Sequence, residues 1–515
     1  MRHSKIIISA ACCLMLCSCY KDLSTEATQI IPDIVVTGLP ERLDVVYGEE
    51  IHLAVNAYMG EKGNADLKFL WEIDITAGSS KARAELGEEP SLDYVVANTP
   101  SSTAYVISVR VTDPETGLQA MKSCYLSVSS SLGEGLLVSY MLPDGKSSDF
   151  GIVASTATTY GYGGSAPRTT RGLYSLANGG VYPERINCIL QTTDTQSGVY
   201  DSRRILAGSP NHVFALDPLS FEVREQDAQL FNSKTMDKFG PSTMFNFGGY
   251  GSFMFIDGQA YAHICSIDNV YAKVANSASN PINFTPKSVG YACPDQGVVC
   301  VYNDSDGLYI QRAYQLMAAT FGKIDTNGML DFPLDGSVCL QGGCLRSMRP
   351  AFLVKDKNGA YHVVIVEANG PKDVASSVSF EGPDIEKAVS IAFCDNGDTF
   401  YYATERELYT TVISGNITQV RKLSWTPSDP GEKITKIQQY RQAWYGTGQL
   451  SASSYGYVLP THRNMLIITT YNESTGEGKF YLRGFNVATG LFTFNGDYGT
   501  FGGFGEITAI APTLR

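Results

Sequence analysis

The chain has 515 residues, 43% hydrophobic and 18% charged, a globular balance that excludes large-scale disorder and leaves room for two to four domains with buried cores. Its formal net charge of −13 argues against nucleic acid and anionic lipid as partners and suits a solvated surface. Beyond the first residues no apolar run approaches the 18 residues that a membrane-spanning helix needs.

The chain opens on Arg2 and Lys5, continues as an apolar run from Ile6 to Leu16, and turns polar after Leu16-Cys17-Ser18-Cys19. The run is too short to span a bilayer, so it reads as a removable signal. The pattern resembles a bacterial lipoprotein signal with its lipobox. That resemblance implies cleavage after residue 18, lipidation of Cys19, and anchoring by several acyl chains. Tyr20-Lys21-Asp22 is similar to the Lys-Asp export signals of surface lipoproteins, which implies the outer face of an outer membrane. Residues 19–33, rich in Ser, Thr, Glu and Gln, then form a short tether.

From residue 34 to 130 the pattern changes to strands of four to eight residues separated by turn signals, as in a β-sandwich. Ile51-His-Leu-Ala-Val-Asn-Ala57 alternates cleanly, and Leu67-Lys-Phe-Leu-Trp-Glu-Ile73 places Trp71 mid-strand, where it packs between sheets. Ala104-Tyr-Val-Ile-Ser-Val-Arg-Val111 runs into the turn Asp113-Pro-Glu-Thr-Gly117, and Lys122-Ser-Cys-Tyr-Leu-Ser-Val128 ends the unit. The order of these segments resembles a PKD-like or immunoglobulin-like module, which implies a spacer or docking role. Immunoglobulin domains carry a cysteine pair here, whereas Cys124 stands alone.

Residues 131–515 consist of short apolar segments, among them Ser252-Phe-Met-Phe-Ile256, Tyr361-His-Val-Val-Ile-Val366 and Met465-Leu-Ile-Ile-Thr-Thr470, with hairpin turns such as Asp356-Lys-Asn-Gly359 between them. A spacing of roughly 40 to 60 residues predicts four-stranded propeller blades. The fold class is therefore all-β: a sandwich followed by a β-propeller of seven blades, with eight blades or two packed sandwiches as alternatives. A propeller must close to leave no open edge, and Glu506-Ile-Thr-Ala-Ile-Ala511 is placed to pair in the blade starting near Gly135.

Eight cysteines follow Cys19, and in an oxidising envelope the close pairs Cys293 with Cys300 and Cys339 with Cys344 are candidate disulfides, with buried free thiols as the alternative. No His-Glu-x-x-His or Gly-x-Ser-x-Gly occurs, and His212, His263 and His362 sit in strand-like segments, so they read as structural. No cofactor is expected. The aspartate turns at 304–306 and 395–398 supply too few oxygens for a calcium loop. The candidate ligand contacts are aromatic residues in glycine-rich segments: Tyr160, Tyr162, Tyr250, Trp444, Tyr445 and Tyr498.

Taken together, the lipobox, the sandwich and the body beginning Leu132-Gly-Glu-Gly-Leu-Leu-Val138 resemble PKD-like lipoproteins that accompany Sus-like outer-membrane importers. The departure is at Leu136-Leu137, where a tryptophan is expected. The resemblance implies a non-enzymatic surface protein that binds a glycan, a peptide, the transporter or a partner lipoprotein. Two other readings stand beside it, an exported propeller hydrolase or lyase and a structural subunit of the importer.

Overall fold

The computed structural model describes residues 31–101, 103–129, 133–160, 162–164, 166–193, 203–232, 236–246, 251–264, 270–276, 289–292, 298–303, 307–312, 320–367, 373–443 and 458–514. Cys19 lies outside them. The chain is nearly all β, and no described helix is long and apolar enough to cross a membrane.

The N-terminal region carries a five-stranded sheet in the order Arg42–Val46, Gln119–Ser129, Tyr105–Thr112, Lys68–Thr76, Ser79–Gly87. Two strand pairs accompany it, Val35–Thr37 with Asn56–Tyr58 and Glu50–Ala54 with Ser91–Val95. Alternation explains the layering: Phe69, Trp71 and Ile73 turn one way along their strand and are buried with Ile51, Leu53 and Leu92 in one core. Trp71 is fully buried and donates its indole N–H to Glu89 O at 2.8 Å, so its polar handle is satisfied within that core.

From Gly135 onward the described residues form seven further sheets, labelled I to VII in chain order. Sheet I contains Gly135–Met141, Ser148–Ala154 and Arg168–Arg171; sheet II contains Cys188–Thr193, Arg203–Gly208, Val213–Leu216 and Val223–Gln226. Sheet III contains Thr243–Asn246, Gly251–Ile256, Gln259–Ile264 and Ala272–Lys273. Sheet IV contains Val289–Ala292, Val298–Asn303, Gly307–Arg312 and Thr320–Lys323, with Ala275–Asn276 added in parallel at its edge. Sheet V contains Val338–Leu345, Arg349–Lys355, Tyr361–Glu367 and Val374–Phe380. Sheet VI contains Ser390–Cys394, Thr399–Ala403, Leu408–Ser414 and Ile417–Lys422. Sheet VII contains Lys433–Gln439, Met465–Asn472, Glu477–Phe485 and Phe492–Phe504.

These sheets pack face to face around a ring, because their strands are apolar on both faces. Val298, Cys300 and Tyr302 point into the core shared with sheet V, while Val299 and Val301, between them, point into the core shared with sheet III. Leu136 and Val138 join sheet VII, and Leu137 joins sheet II. Such strands read as continuous hydrophobic runs rather than alternating ones. Each large apolar side chain buried this way contributes about 1.5–3 kcal/mol.

The ring closes through the chain terminus. Ile507–Thr513 pairs with Gly135–Met141 as the fourth strand of sheet I, from Gly135 opposite Thr513 to Tyr140 opposite Ile507. The terminus is further held by sheet II, where Gln191 donates to and accepts from the Leu514 backbone and Arg203 donates to Leu514 O. This is the topology of a β-propeller, with the terminal strand in the place expected from the sequence.

Two expectations are corrected. Cys339 and Cys344 lie on one strand of sheet V five residues apart, about 16 Å at the usual rise, whereas a disulfide needs Cα atoms within about 7 Å. Cys339 packs instead in the core between sheets IV and V, with Cys300; Cys293 lies outside the described residues. His212 is not inside a strand but precedes Val213–Leu216, with its side chain 49% exposed. Asp395 and Asp398 bind arginines: Arg463 and Arg441 for the first, Arg346 and Arg349 for the second.

Candidate functional site

The last strand of sheet VII departs most from regular pairing. Phe492–Phe504 slips register against Glu477–Phe485 at three points, and glycines 496, 499, 502 and 503 punctuate it. The slips have a steric cause. A Cβ on Gly496 would meet Thr493 Oγ1 at 2.4 Å and Gly484 O at 2.7 Å, so the backbones close up only because no side chain stands there. A Cβ on Gly484 would sit 2.9 Å from the Tyr498 ring, so the tyrosine lies directly over bare backbone.

Beside that ring opens a depression of about 480 Å³ lined by Asn464, Gly484, Phe485, Asn486, Val487, Ala488, Thr493 and Tyr498. Tyr498 is 37% exposed, and Phe494, four residues earlier on the same strand, is fully exposed. Asn486 Oδ1 accepts from the Ala488 and Thr489 N–H groups at 3.0 and 3.1 Å, which fixes the carboxamide in an Asx turn and orients its amide N–H groups. Asn464 is held from two sides, donating to Pro460 O at 3.2 Å and accepting from Asn396 Nδ2 at 2.9 Å. The cleft thus combines an aromatic face with oriented carboxamides and a threonine hydroxyl.

Behind Asn464 lies the charged support of the site. Asp395 is buried and receives Arg463 Nε at 2.7 Å together with the Arg441 guanidinium, while Arg463 also donates to Asp395 O at 2.6 Å. Arg463 sits at φ 62°, in the left-handed region, and these bonds hold it there. His462 accepts the Gln442 N–H at 2.9 Å; burial and the two guanidiniums push its pKa down to about 3, so it is neutral.

Among the described residues, Tyr498 is the one aromatic candidate that lines the cleft. Tyr160 is 55% exposed on the connector between Ser148–Ala154 and Arg168–Arg171. Tyr162, on the same connector, folds back so that its hydroxyl donates to Ala166 O at 2.8 Å. Tyr250, Trp444 and Tyr445 lie outside the described residues. Sequence reasoning missed Asn464 and Asn486, since carboxamides after a turn carry no pattern of their own.

No protein-family model and no curated protein matches the chain. Among solved structures, a quinoprotein alcohol dehydrogenase-like protein of Bacteroides thetaiotaomicron is similar at 13% identity and TM-score 0.45, over 94% of this chain and 99% of that one. A chain of the yeast Nup82–Nup159–Nup116 nucleoporin complex is similar at 7% identity and TM-score 0.38, over 68% and 97%. Apo AztD of Citrobacter koseri is similar at 10% identity and TM-score 0.36, over 86% and 97%.

Proposed function

We propose that this chain is a surface-anchored, non-catalytic binding lipoprotein that takes up a neutral glycan in the Tyr498 cleft, as a capture component of a Sus-like outer-membrane import system. In this reading Cys19 carries the lipid, the tether and a PKD/immunoglobulin-like module lift the body off the membrane, and sheets I to VII are the blades of a seven-bladed propeller. Support for the blade count comes from the hydrophobic cores shared between successive sheets and from closure through Ile507–Thr513.

The observation that carries the functional reading is the lining of the cleft: one tyrosine ring over bare glycine backbone, two carboxamides fixed by their own hydrogen bonds, and a threonine hydroxyl. A sugar presents one flat apolar face and a rim of hydroxyls, and stacking plus fixed amide donors matches both. The chain from residue 20 onward, titrated calorimetrically against a panel of neutral oligosaccharides and peptides, should bind a glycan saturably and leave it intact. Tyr498→Ala should lose that binding. Released product would instead establish the hydrolase or lyase reading, and peptide binding alone would remove the glycan.

One observation favours the importer-subunit reading. Met121 and Tyr125, both 59% exposed, stand four residues apart on the same face of one strand of the N-terminal sheet. Co-purification of the transporter from outer-membrane extract, lost on Tyr125→Ala with Met121→Ala and unaffected by Tyr498→Ala, would support it.

A further inference from the structure

The Tyr498 cleft has a second aromatic residue at its rim. On the last strand of sheet VII, Phe492 stands opposite Phe485 and Asp497 opposite Arg483, so Gly484 alone faces the four residues 493–496 between them. The extra residues form a bulge that is pinned at both ends. At the near end Phe492 packs on the core between sheets VI and VII, and at the far end Asp497 is ion-paired with Arg483. Within the bulge Thr493 Oγ1 donates to Gly484 O at 3.3 Å, and a Cβ on Gly484 would lie 3.2 Å from Gly496 Cα. The backbone that carries Phe494 is therefore fixed against the same glycine over which the Tyr498 ring lies.

Phe494 itself is fully exposed, so no protein atom packs on its ring, and Tyr498 does not touch it. The shape of the bulge does not call for a phenylalanine, since Asn495 and Gly496 already supply the turn chemistry. An uncovered ring on an edge strand also invites pairing with other chains, which edges ordinarily discourage with charge. Its position, by contrast, suits the cleft: Thr493, the residue before it, is part of the lining. Four residues separate Phe494 from Tyr498, so their Cα atoms lie within about 14 Å of each other. Two aromatic faces out of mutual contact over that interval match separate units along a chain of linked sugars, each stacking its own apolar face.

Given the Tyr498 cleft as a glycan site, on which this step rests, we infer that Phe494 is a second stacking platform and that the site takes a neutral oligosaccharide chain rather than a free monosaccharide. Because nothing packs on the Phe494 ring, it turns about χ1 onto the ligand without breaking a contact in the fold. Phe494 thus sets the preference for chain length, while Tyr498 is needed for every ligand.

The test is calorimetric titration of the chain from residue 20 onward with a ladder of neutral oligosaccharides of one linkage, from two to six units. Affinity should rise with length until the chain reaches Phe494. Phe494→Ala should weaken the longest ligand about tenfold and the shortest binding one by no more than about twofold, which flattens the ladder. Phe494→Tyr should restore it, and Tyr498→Ala should weaken every length. The melting temperature of Phe494→Ala should stay that of the parent, since no contact is lost. An unaltered ladder in Phe494→Ala, with binding still dependent on Tyr498, would overturn the second platform and leave the glycan reading standing. An equal loss at every length would overturn it too, by placing both rings on one sugar. If no neutral glycan of any length binds, the glycan reading and the second platform fall together. Self-association lost in Phe494→Ala, with the ladder unchanged, would assign the ring to a second copy of this chain instead.

Discussion

Sheets I and VII share the end of the chain and use it in opposite ways. The strand Ile507–Thr513 pairs with sheet I with a single irregularity and buries Ile507, Ala509, Ile510 and Ala511. The strand before it, Phe492–Phe504, slips three times against its neighbour and leaves Phe494 and Tyr498 at the surface. Two residues separate these strands, so the difference comes from composition. Apolar residues packed on both faces lock a register, because a slip of one residue moves each side chain into the core shaped for its neighbour. Glycines remove that penalty and let backbones approach at bulges, which frees aromatic side chains for a ligand.

The largest expected effect comes from breaking the regular half. Deleting residues 507–515 removes the fourth strand of sheet I and the Gln191 and Arg203 contacts to Leu514, and leaves Glu506, the partner of Arg185, at a free chain end. Sheets II and VII, which pack on the two faces of that strand, would each expose apolar surface, and the loss should reach about 5 kcal/mol or more, comparable with the whole stability of a domain. Urea denaturation should show the ring unfolding as a unit while the N-terminal region, followed through Trp71, keeps its own transition. Retention of a full ring transition would mean that closure by the terminal strand is dispensable.

A smaller loss tests the support of the irregular half. Asp395→Ala leaves Arg441 and Arg463 without their shared carboxylate behind the cleft, and stripping one side of such a buried ionic cluster costs about 3–5 kcal/mol. Thermal unfolding should fall accordingly, with ligand binding weakened because Asn464 follows Arg463 directly. Lys at position 395 should be worse than Ala, since it adds a third like charge.

Acid should discriminate between the two sheets. His462 is neutral in the fold, with its pKa down at about 3, whereas in the unfolded chain it protonates near its ordinary 6.5. Below 6.5 the unfolded chain therefore binds the extra proton, so this stabilisation is complete above pH 6.5 and lost as pH falls toward 3. The slope is roughly 1.4 kcal/mol for each pH unit in that window. His462→Asn, which keeps an acceptor for the Gln442 N–H, should flatten the pH dependence of the melting temperature between pH 4 and 6. An unchanged slope would place the acid sensitivity elsewhere.

The regular half of the molecule was legible in the sequence, and the irregular half only in outline. The terminal strand could be placed because its alternation and the apolar run at Gly135 are local signals, and Trp71 because it sits mid-strand among alternating residues. The disulfide reading of Cys339 and Cys344 failed because short spacing suggests proximity only if the chain turns between them, and Val338–Leu345 is extended. Tyr498 was visible as an aromatic among glycines, but its difference from Tyr162 rests on a hydrogen bond that turns Tyr162 onto its own loop.

The smallest effect on stability should accompany the sharpest effect on binding. Gly484 has no left-handed backbone to protect, so Ala fits its conformation, and the gain from a stiffer unfolded chain offsets part of the crowding against Gly496 and Thr493. The net change in stability should stay within about 1 kcal/mol. The added methyl group nonetheless falls 2.9 Å from Tyr498 Cε2, so the ring must leave its seat. If stacking on that ring carries recognition, Gly484→Ala should weaken ligand binding about tenfold, about 1.4 kcal/mol, at nearly unchanged melting temperature. Because both substitutions act through the same ring, the double variant with Tyr498→Ala should bind no more weakly than Tyr498→Ala alone. Additive losses would show instead that Gly484 serves the cleft through its own backbone rather than by seating the tyrosine.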